Sequence, residues 1–315
     1  MNKLLACIED VICFVTNRLA AILVVVFFTL GAKATDRVII SGLAYEIDKT
    51  ENVAILVRQD KELQGNIVVP GSVRYEKVNY PVKLSHAAFG GCAEITSISL
   101  QCDAMFLPDY FFSGCSKLRN VELPNDLKIM GNGCFMNCKV LSKVKLPNTL
   151  YGISNQCFWG CWSLKDIELP EGMLAVGAGG FAFCYSLEEI EFPNKVHTIG
   201  DQCFHQCLSL KSIVLNNSKL ASSNCTSLYD MDNNYVKLYV PEGTAQEYCE
   251  SIAWQNFDII ENTAMGIEHA DKVDELVDVY STKGIKVKSN VPLASLRNIL
   301  PPDIYIIRGK KVIVK

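Results

Sequence analysis

The chain has 315 residues, a formal net charge of −4 at pH 7 and a hydrophobic content of 49%. This length suits roughly two domains, and the apolar content is sufficient for a sizeable core. The mildly acidic balance argues against nucleic acid as a partner, because such binding requires a clustered basic face.

The first residues have the organisation of an export signal. Lys3 and Arg18 flank a long front region, residues 19–32 form an apolar run, and Ala34 closes a small-residue cleavage pattern. We therefore predict that residues 1–34 are a secretory signal peptide. An uncleaved membrane anchor is the alternative, although the apolar run is shorter than the ~20 residues that a spanning helix requires. After cleavage we expect no transmembrane segment.

One motif recurs with a fixed period between residues 82 and 215. The stretch FWGCWSLKDIELP begins at Phe158, and related stretches stand twenty-three residues away in both directions. Six units follow one another without an insertion. They contain Phe89, Phe112, Phe135, Phe158, Phe181 and Phe204 at the same motif position. A fixed period of this length predicts a solenoid in which each unit is one rung.

Each unit contains two predicted strands. The first ends in an alternating stretch such as residues 167–169, which places Ile167 inward and Glu168 outward. The second carries an apolar pair such as Leu150 and Ile153. Because one rung cannot bury its apolar face alone, neighbouring rungs are expected to stack.

Most of the cysteines fall in two columns of this repeat. Neighbours in a column lie close enough for a disulfide, but their Cβ bonds point the same way, whereas a disulfide needs them turned toward each other. A zinc site is the alternative interpretation of the C-x3-C pairs that the columns produce. We predict instead that the thiols fill the core and donate to backbone carbonyls, so no metal or cofactor is expected. The two columns are Cys92, Cys115, Cys138, Cys161, Cys184 and Cys207, and Cys134, Cys157 and Cys203.

The repeated pattern F-x-x-C-x-x-L-x-x-I-x-L-P-x-x-L-x-x-I-G resembles the BspA-type leucine-rich repeat of bacterial surface proteins. The resemblance implies a leucine-rich-repeat solenoid of the α/β horseshoe class, mainly β with short helical turns. It also implies adhesion to host matrix proteins and to other bacteria. The predicted units are a β-rich N-terminal cap at 35–81, a solenoid of six 23-residue repeats with its C-terminal cap at 82–262, and a small C-terminal β unit at 263–315.

The two C-terminal units have their own signals. Thr244 and Glu247 form a predicted capping box that opens a short helix, and Trp254 and Phe257 are expected to close the core. Residues 263–315 contain two predicted β-hairpins. This tail resembles the C-terminal sorting domain of type IX secretion, which implies display on the outer membrane of a Gram-negative bacterium.

Catalytic residues are not evident in the sequence. Catalysis requires a nucleophile or an acid–base pair beside an orienting group. Cys203 and His205 are the one pair that could be drawn in this way, but Cys203 belongs to a structural column and no acidic orienter is implied. We therefore expect that the protein is not an enzyme.

Two sets of outward-facing residues are candidates for ligand binding. The aromatic set could anchor a protein partner or stack on sugar rings, and packing between turns is the alternative. The charged set forms ladders between rungs, for which a solvated face is the alternative. The candidates are Trp159, Trp162, Phe183, Tyr185 and His205, and Lys143, Lys145, Asp166, Glu168, Glu189 and Glu191.

These observations favour a secreted or surface-exposed protein that binds a ligand without transforming it. The expected partner is a protein of the host extracellular matrix or of a bacterial surface, or a glycan. The alternative is a structural or assembly module of the cell surface that has no soluble ligand.

Overall fold

The computed structural model describes residues 35–217, 236–251, 253–254, 257–262, 276–281, 285–292, 303–307 and 310–314. The predicted signal peptide at 1–34 lies outside the described residues. The same holds for the centre of the last predicted hairpin turn, residues 308–309.

The N-terminal residues form strands, as expected for the β-rich cap predicted at 35–81. Strands β1 to β3 make an antiparallel meander, and β6 joins β3 in parallel and β5 in antiparallel orientation. Strand β4 pairs in parallel with the first strand of the repeats, so this region continues directly into the solenoid. The strands are β1 (Asp36–Ile40), β2 (Leu43–Asp48), β3 (Val53–Leu56), β4 (Gly65–Val69), β5 (Ser72–Tyr75) and β6 (Val78–Leu84).

The repeats stack as rungs that are joined by parallel strands on two faces. On the face of the short strands, Ile129 pairs with Gly152 and Gly152 with Ala175, each at the same motif position of the next rung. This register confirms the solenoid and its second strand. The repeat strands are β7 (Ile95–Leu100), β8 (Phe106–Leu107), β9 (Asn120–Glu122), β10 (Ile129–Met130), β11 (Gly152–Ile153), β12 (Ala175–Val176), β13 (Glu189–Phe192), β14 (Thr198–Ile199) and β15 (Ser212–Leu215).

The first predicted strand is incomplete in the middle rungs. Residues 167–169 are not a strand, and this face retains only an isolated parallel bridge between Lys143 and Asp166. Ile167 is nevertheless buried and Glu168 exposed, so the predicted alternation of side chains is correct. The ladder of backbone hydrogen bonds stops after the bridge, which leaves β9 and β13 in separate sheets. Across the repeats at 82–215, all of them described, the expected helical turns are hydrogen-bonded turns without an α-helix.

A column of phenylalanines runs through the centre of the rungs. The ring centroids of Phe135 and Phe158 are 5.2 Å apart, and those of Phe158 and Phe181 are 5.5 Å apart. The planes of both pairs are within 5° of parallel, and all three rings are fully buried. Stacking of this kind is favourable beyond the apolar area that it buries. The identical spacing of the motif is therefore expressed as direct contact between identical side chains.

The thiols pack in the core and donate to the backbone. The Sγ of Cys161 lies 3.1 Å from the carbonyl oxygen of Phe135, and the Sγ of Cys184 lies 3.2 Å from that of Phe158. Burial raises the pKa of the Cys207 thiol to about 12. All cysteines of both columns are buried and none of them forms a disulfide, which confirms the prediction that they fill the core. The same bond to the phenylalanine of the preceding rung is made by Cys115, Cys138, Cys161, Cys184 and Cys207.

The predicted C-terminal cap contains the expected helix with a different N-terminus. Helix α1 (Ala245–Glu250) begins after Thr244, but the Thr244 side chain donates to the carbonyl of Pro241 and caps no helical N–H. The N–H of Ala245 instead donates to the Glu261 carboxylate, 3.0 Å away. The predicted capping box is therefore wrong, because Thr244 has helical backbone angles and a residue from the following strand provides the acceptor.

The core ends as expected beneath this helix. Trp254 and Phe257 are buried, and their rings lie 5.4 Å apart. Strands β16 (Lys237–Pro241) and β17 (Asp258–Asn262) extend the parallel sheet of β13 and β15.

The tail forms an antiparallel sheet with the order β19-β18-β20-β21. Pairing of β18 with β19 and of β20 with β21 confirms the two predicted hairpins. The strands are β18 (Leu276–Ser281), β19 (Lys286–Pro292), β20 (Asp303–Ile307) and β21 (Lys310–Val314).

Candidate functional site

The aromatic candidates meet in one cluster, which we call the aromatic ridge: Trp159, Trp162, Phe183, Tyr185 and His205. Phe183 is its centre, with ring centroids 4.7 Å from Trp159, 5.1 Å from His205 and 6.2 Å from Tyr185. Trp162 lies 5.9 Å from Tyr185. The structure thus brings together three motif positions. Trp159 and His205 stand two residues before the repeat cysteine, Phe183 stands one residue before it, and Trp162 and Tyr185 stand one residue after it.

The outer edge of the ridge is open to solvent. Trp162 is 42% exposed, and Leu208, which follows Tyr185 in the same column, is 64% exposed. The Lys139 ammonium lies 4.2 Å from the centroid of the Trp162 ring, a favourable cation–π distance. A cation and large apolar side chains are therefore presented on one line across four rungs.

The backbone at the centre of the ridge is strained. Phe183 has a φ of 59°, in the left-handed region that bulky residues avoid. Its column is left-handed in other rungs too, where the residues are Gly114, Asn137, Gly160 and Gln206. Glycine and asparagine tolerate this conformation better than phenylalanine does. The left-handed turn therefore belongs to the repeat itself, and what distinguishes this rung is the bulky phenyl ring placed on it.

The charged candidates lie on the strand face and form exposed ion pairs. The Lys143 ammonium is 3.1 Å from a carboxylate oxygen of Asp166 and 3.5 Å from one of Glu168. The Asp166 hydrogen bond is the main cause of the raised pKa of Lys143. Exposed pairs of this kind contribute about 0–1 kcal/mol to stability. Lys145, Glu189 and Glu191 are also exposed, and Glu191 accepts a hydrogen bond from Asn216.

A polar ladder beside the ridge was not predicted. The carboxylate of Asp109 accepts from the N–H of Asn132, the Asn132 side chain from the N–H of Asn155, and the Asn155 side chain from the N–H of Ala178. The recurrence of asparagine at 132 and 155, next to apolar columns, is the sequence signal that could have revealed it. The ladder ties together the turns of four consecutive rungs.

In the described part of the chain, the geometry supports neither a zinc site at the C-x3-C pairs nor a catalytic pair of Cys203 and His205. Among these residues no group of three or more His, Cys, Asp or Glu side chains is arranged to hold a metal ion. Cys203 is buried, and the His205 ring packs against Phe183. The described residues also contain no helix with the length and apolarity to cross a membrane.

Comparison with known proteins agrees with this architecture. Residues 106–231 match the family model for the BspA type leucine rich repeat region in 6 copies. The repeats therefore define a leucine-rich-repeat solenoid. No curated protein matches the chain.

Solved structures of bacterial leucine-rich-repeat proteins are similar at low identity. A leucine rich repeat protein of T. pallidum is 22% identical with a TM-score of 0.49, over 70% of this chain and 93% of that chain. A leucine rich cell surface protein of Faecalibacterium prausnitzii is 16% identical with a TM-score of 0.44, over 72% and 73%. A leucine-rich repeat protein of Bacteroides ovatus is 19% identical with a TM-score of 0.30, over 73% and 79%.

Proposed function

We propose that this chain is a secreted or surface-exposed adhesion protein that binds other proteins through its aromatic ridge. The observation that carries the proposal is the cluster around Phe183, where aromatic side chains from three rungs are in contact and Trp162 faces solvent. Tryptophan and tyrosine provide large rigid contact areas with a polar group, and they dominate the binding energy of protein interfaces.

The composition of the ridge supports binding more than packing. Packing between turns would be served by small side chains, such as Ala93 and Ser116 in the column that carries Trp162. Phe183 places a bulky ring at a left-handed turn position where other rungs have glycine, asparagine or glutamine, and the phenylalanine column behind it already fills the interior. Proteins built from such repeats generally act as scaffolds for binding and not as catalysts.

The charged ladder is a candidate rim for the same interface. Lys143 and Lys145 precede the acidic residues Asp166, Glu168 and Glu189 along the rungs, so the surface changes sign from one rung to the next. Rim charges of this kind steer a partner and fix its orientation more than they add affinity. We propose a protein of the host extracellular matrix or of another bacterial surface as the partner.

Export is part of the proposal. The signal peptide at 1–34 and the tail at 263–315 would carry the chain through the inner and the outer membrane, the latter by type IX secretion. Deletion of residues 263–315 should then leave the protein in the periplasm of a Gram-negative host that has this pathway. Surface display of the truncated protein, detected by protease treatment of whole cells, would contradict the assignment of the tail.

The binding role is tested with the double variant Trp162→Ala/Tyr185→Ala of the mature chain. Removal of a hot spot of ~2 kcal/mol should weaken binding to immobilised extracellular-matrix proteins by about 30-fold. The matched control is Met105→Ala, which truncates an apolar side chain of 66% exposure far from the ridge. Equal binding by wild type and double variant would remove the ridge as the site. Absence of any binding by the wild type would favour the structural module.

A further inference from the structure

An open cleft lies beside the aromatic ridge, at the turns that carry the polar ladder. Its volume is about 360 Å³, and its walls come from consecutive rungs. Sites for small ligands typically have volumes of about 300–1,000 Å³. The cleft is therefore large enough for a compact ligand or for one unit of a longer chain.

The cleft exists because two small residues coincide in one rung. Ala178 follows Asn132 and Asn155 in the ladder column, and Gly179 stands between Gln156 and Gln202 in the next column. The preceding rung carries Asn155 and Gln156 at these two positions, and the following rung carries Asp201 and Gln202. The absence of a longer side chain at both positions of one rung leaves a floor formed by Ala178 and Gly179.

The residues around Gly179 leave little room for a side chain at this position. Its φ is +61°, and a Cβ at this position would lie 3.0 Å from Cε3 of Trp159 and 3.4 Å from Cγ of Gln156. A side chain at 179 would therefore press on the indole and on the amide side chain that form the walls. The cleft therefore depends on glycine at 179, between the side chains of Trp159 and Gln156.

The lining has the chemistry that recognises sugars. Trp159 offers an apolar ring edge, and Asn155, Gln156 and Gln202 offer amides that both donate and accept hydrogen bonds. A pyranose presents apolar C–H groups and hydroxyls that likewise donate and accept. Successive rungs are ~4.8 Å apart, close to the length of one pyranose residue, so a linear saccharide could present one ring to each rung.

The charge of the cleft selects among sugars. Asp201 is the one ionisable carboxylate in the lining, and no Lys, Arg or His is among the lining residues. A uronate or a sulfated sugar would bring a second negative charge next to this carboxylate, in a lining that contains no basic side chain. Neutral and N-acetylated pyranoses meet no such repulsion.

We propose that the cleft at Ala178 and Gly179 is a binding subsite for an uncharged pyranose of a linear glycan. The site is separate from protein binding at the outer edge of the ridge, with which it shares only Trp159. The chain thus carries two recognition surfaces, one for protein and one for saccharide.

The decisive variant is Ala178→Asn. It restores the residue that the ladder carries at 132 and 155, and its side chain can accept from the N–H of the next rung as Asn155 does. The variant should therefore fold with unchanged or higher thermal stability while it fills the cleft. Gln202→Ala is a second variant, and Ala87 occupies the same column with a similar φ of 50°, so the backbone accepts alanine there.

Binding is measured on the mature chain by isothermal titration calorimetry and by tryptophan fluorescence. The probes are β-1,4-linked tetrasaccharides of glucose, of N-acetylglucosamine and of galacturonic acid. We expect at least one of the two neutral probes to bind, and the galacturonate probe to bind at least ten-fold more weakly. Ala178→Asn should lose ten-fold or more of the affinity, and Gln202→Ala should also weaken binding.

The ridge variant Trp162→Ala/Tyr185→Ala should keep saccharide binding, which separates this inference from the protein-binding role. Three results would overturn the inference: no binding of either neutral probe at millimolar concentration, equal or tighter binding of galacturonate, or unchanged affinity in a folded Ala178→Asn variant.

Discussion

The Sγ of Cys161 donates to the carbonyl oxygen of Phe135 across 3.1 Å, and the same oxygen accepts the N–H of Cys138 from its own rung. A carbonyl oxygen has two lone pairs, and here both are used inside the core. The thiol thus links two rungs through a group that water does not reach. This explains why cysteine, a small apolar residue with a weak donor, recurs at this position.

Replacement of this thiol should destabilise the solenoid. Cys161→Ala removes one hydrogen bond and leaves a small void, for which we expect a loss of about 1–3 kcal/mol in the free energy of unfolding. Chemical denaturation followed by circular dichroism measures it. The control is Cys249→Ala in α1, at a half-buried position, where the loss should be about 0.5 kcal/mol or less. Equal losses in both variants would contradict the role of the interrung bond.

Stability should decline at alkaline pH. Burial raises the pKa of Cys92 to about 11 and that of Cys207 to about 12, from an ordinary value near 9. Above pH 9 the unfolded chain loses these protons while the folded chain retains them, so the free energy of unfolding falls as pH rises toward 12. Urea midpoints at pH 7 to 10.5 should show this decline, and Cys207→Ala should reduce its slope. A slope that is the same in the variant would show that Cys207 is not a source of the decline.

Gly177 lies against the polar ladder, as do Gly131 and Gly200 at the same motif position. A Cβ on Gly177 would lie 2.6 Å from the backbone nitrogen and from the side-chain oxygen of Asn155, whereas one on Gly172 would meet nothing closer than 3.8 Å. Gly177→Ala should therefore lose about 1–3 kcal/mol of stability through overpacking. Gly172→Ala should be neutral or gain up to about 1 kcal/mol. Thermal unfolding of the two variants, measured side by side, tests this close approach. An unchanged stability of Gly177→Ala would show that Gly177 and Asn155 are not packed so closely.

The helix of the C-terminal cap depends on Glu261. Because this carboxylate accepts the N–H of Ala245, Glu261→Ala should cost about 0.5–2 kcal/mol, as loss of a helix cap does. Glu261→Gln keeps an acceptor and should cost less. The expected order in denaturant midpoint is wild type, Glu261→Gln, Glu261→Ala. Indistinguishable midpoints for the two variants would assign the cap to another group.

Much of the fold follows from the period alone. Equal spacing places identical residues in contact, and this is enough to predict the stack of Phe135 on Phe158 and the contact between Trp162 and Tyr185. The burial of the thiols follows because a column of cysteines in a stacked core has no other space to occupy. The aromatic part of the candidate site was predictable for the same reason.

The remaining features depend on geometry that the period does not contain. Thr244 satisfies the local rule for a cap, but Glu261, which is distant in sequence, provides the acceptor. The left-handed φ of Phe183 and the cleft over Gly179 depend on how the turn bends and on which neighbouring side chains are missing. The incomplete strand at 167–169 depends on backbone hydrogen bonds that an alternating pattern does not specify.

The central claim is that thiols and phenyl rings fill the rungs, so that only the outer rim recognises ligands. Its most direct test is thiol mapping by mass spectrometry on the exported protein, alkylated without reductant before and after denaturation, together with its metal content. We predict that the repeat cysteines, Cys161 and Cys184 among them, are protected in the folded chain, become fully alkylated on denaturation, and hold no metal. Disulfides between rungs, or zinc bound in proportion to the C-x3-C pairs, would contradict the account.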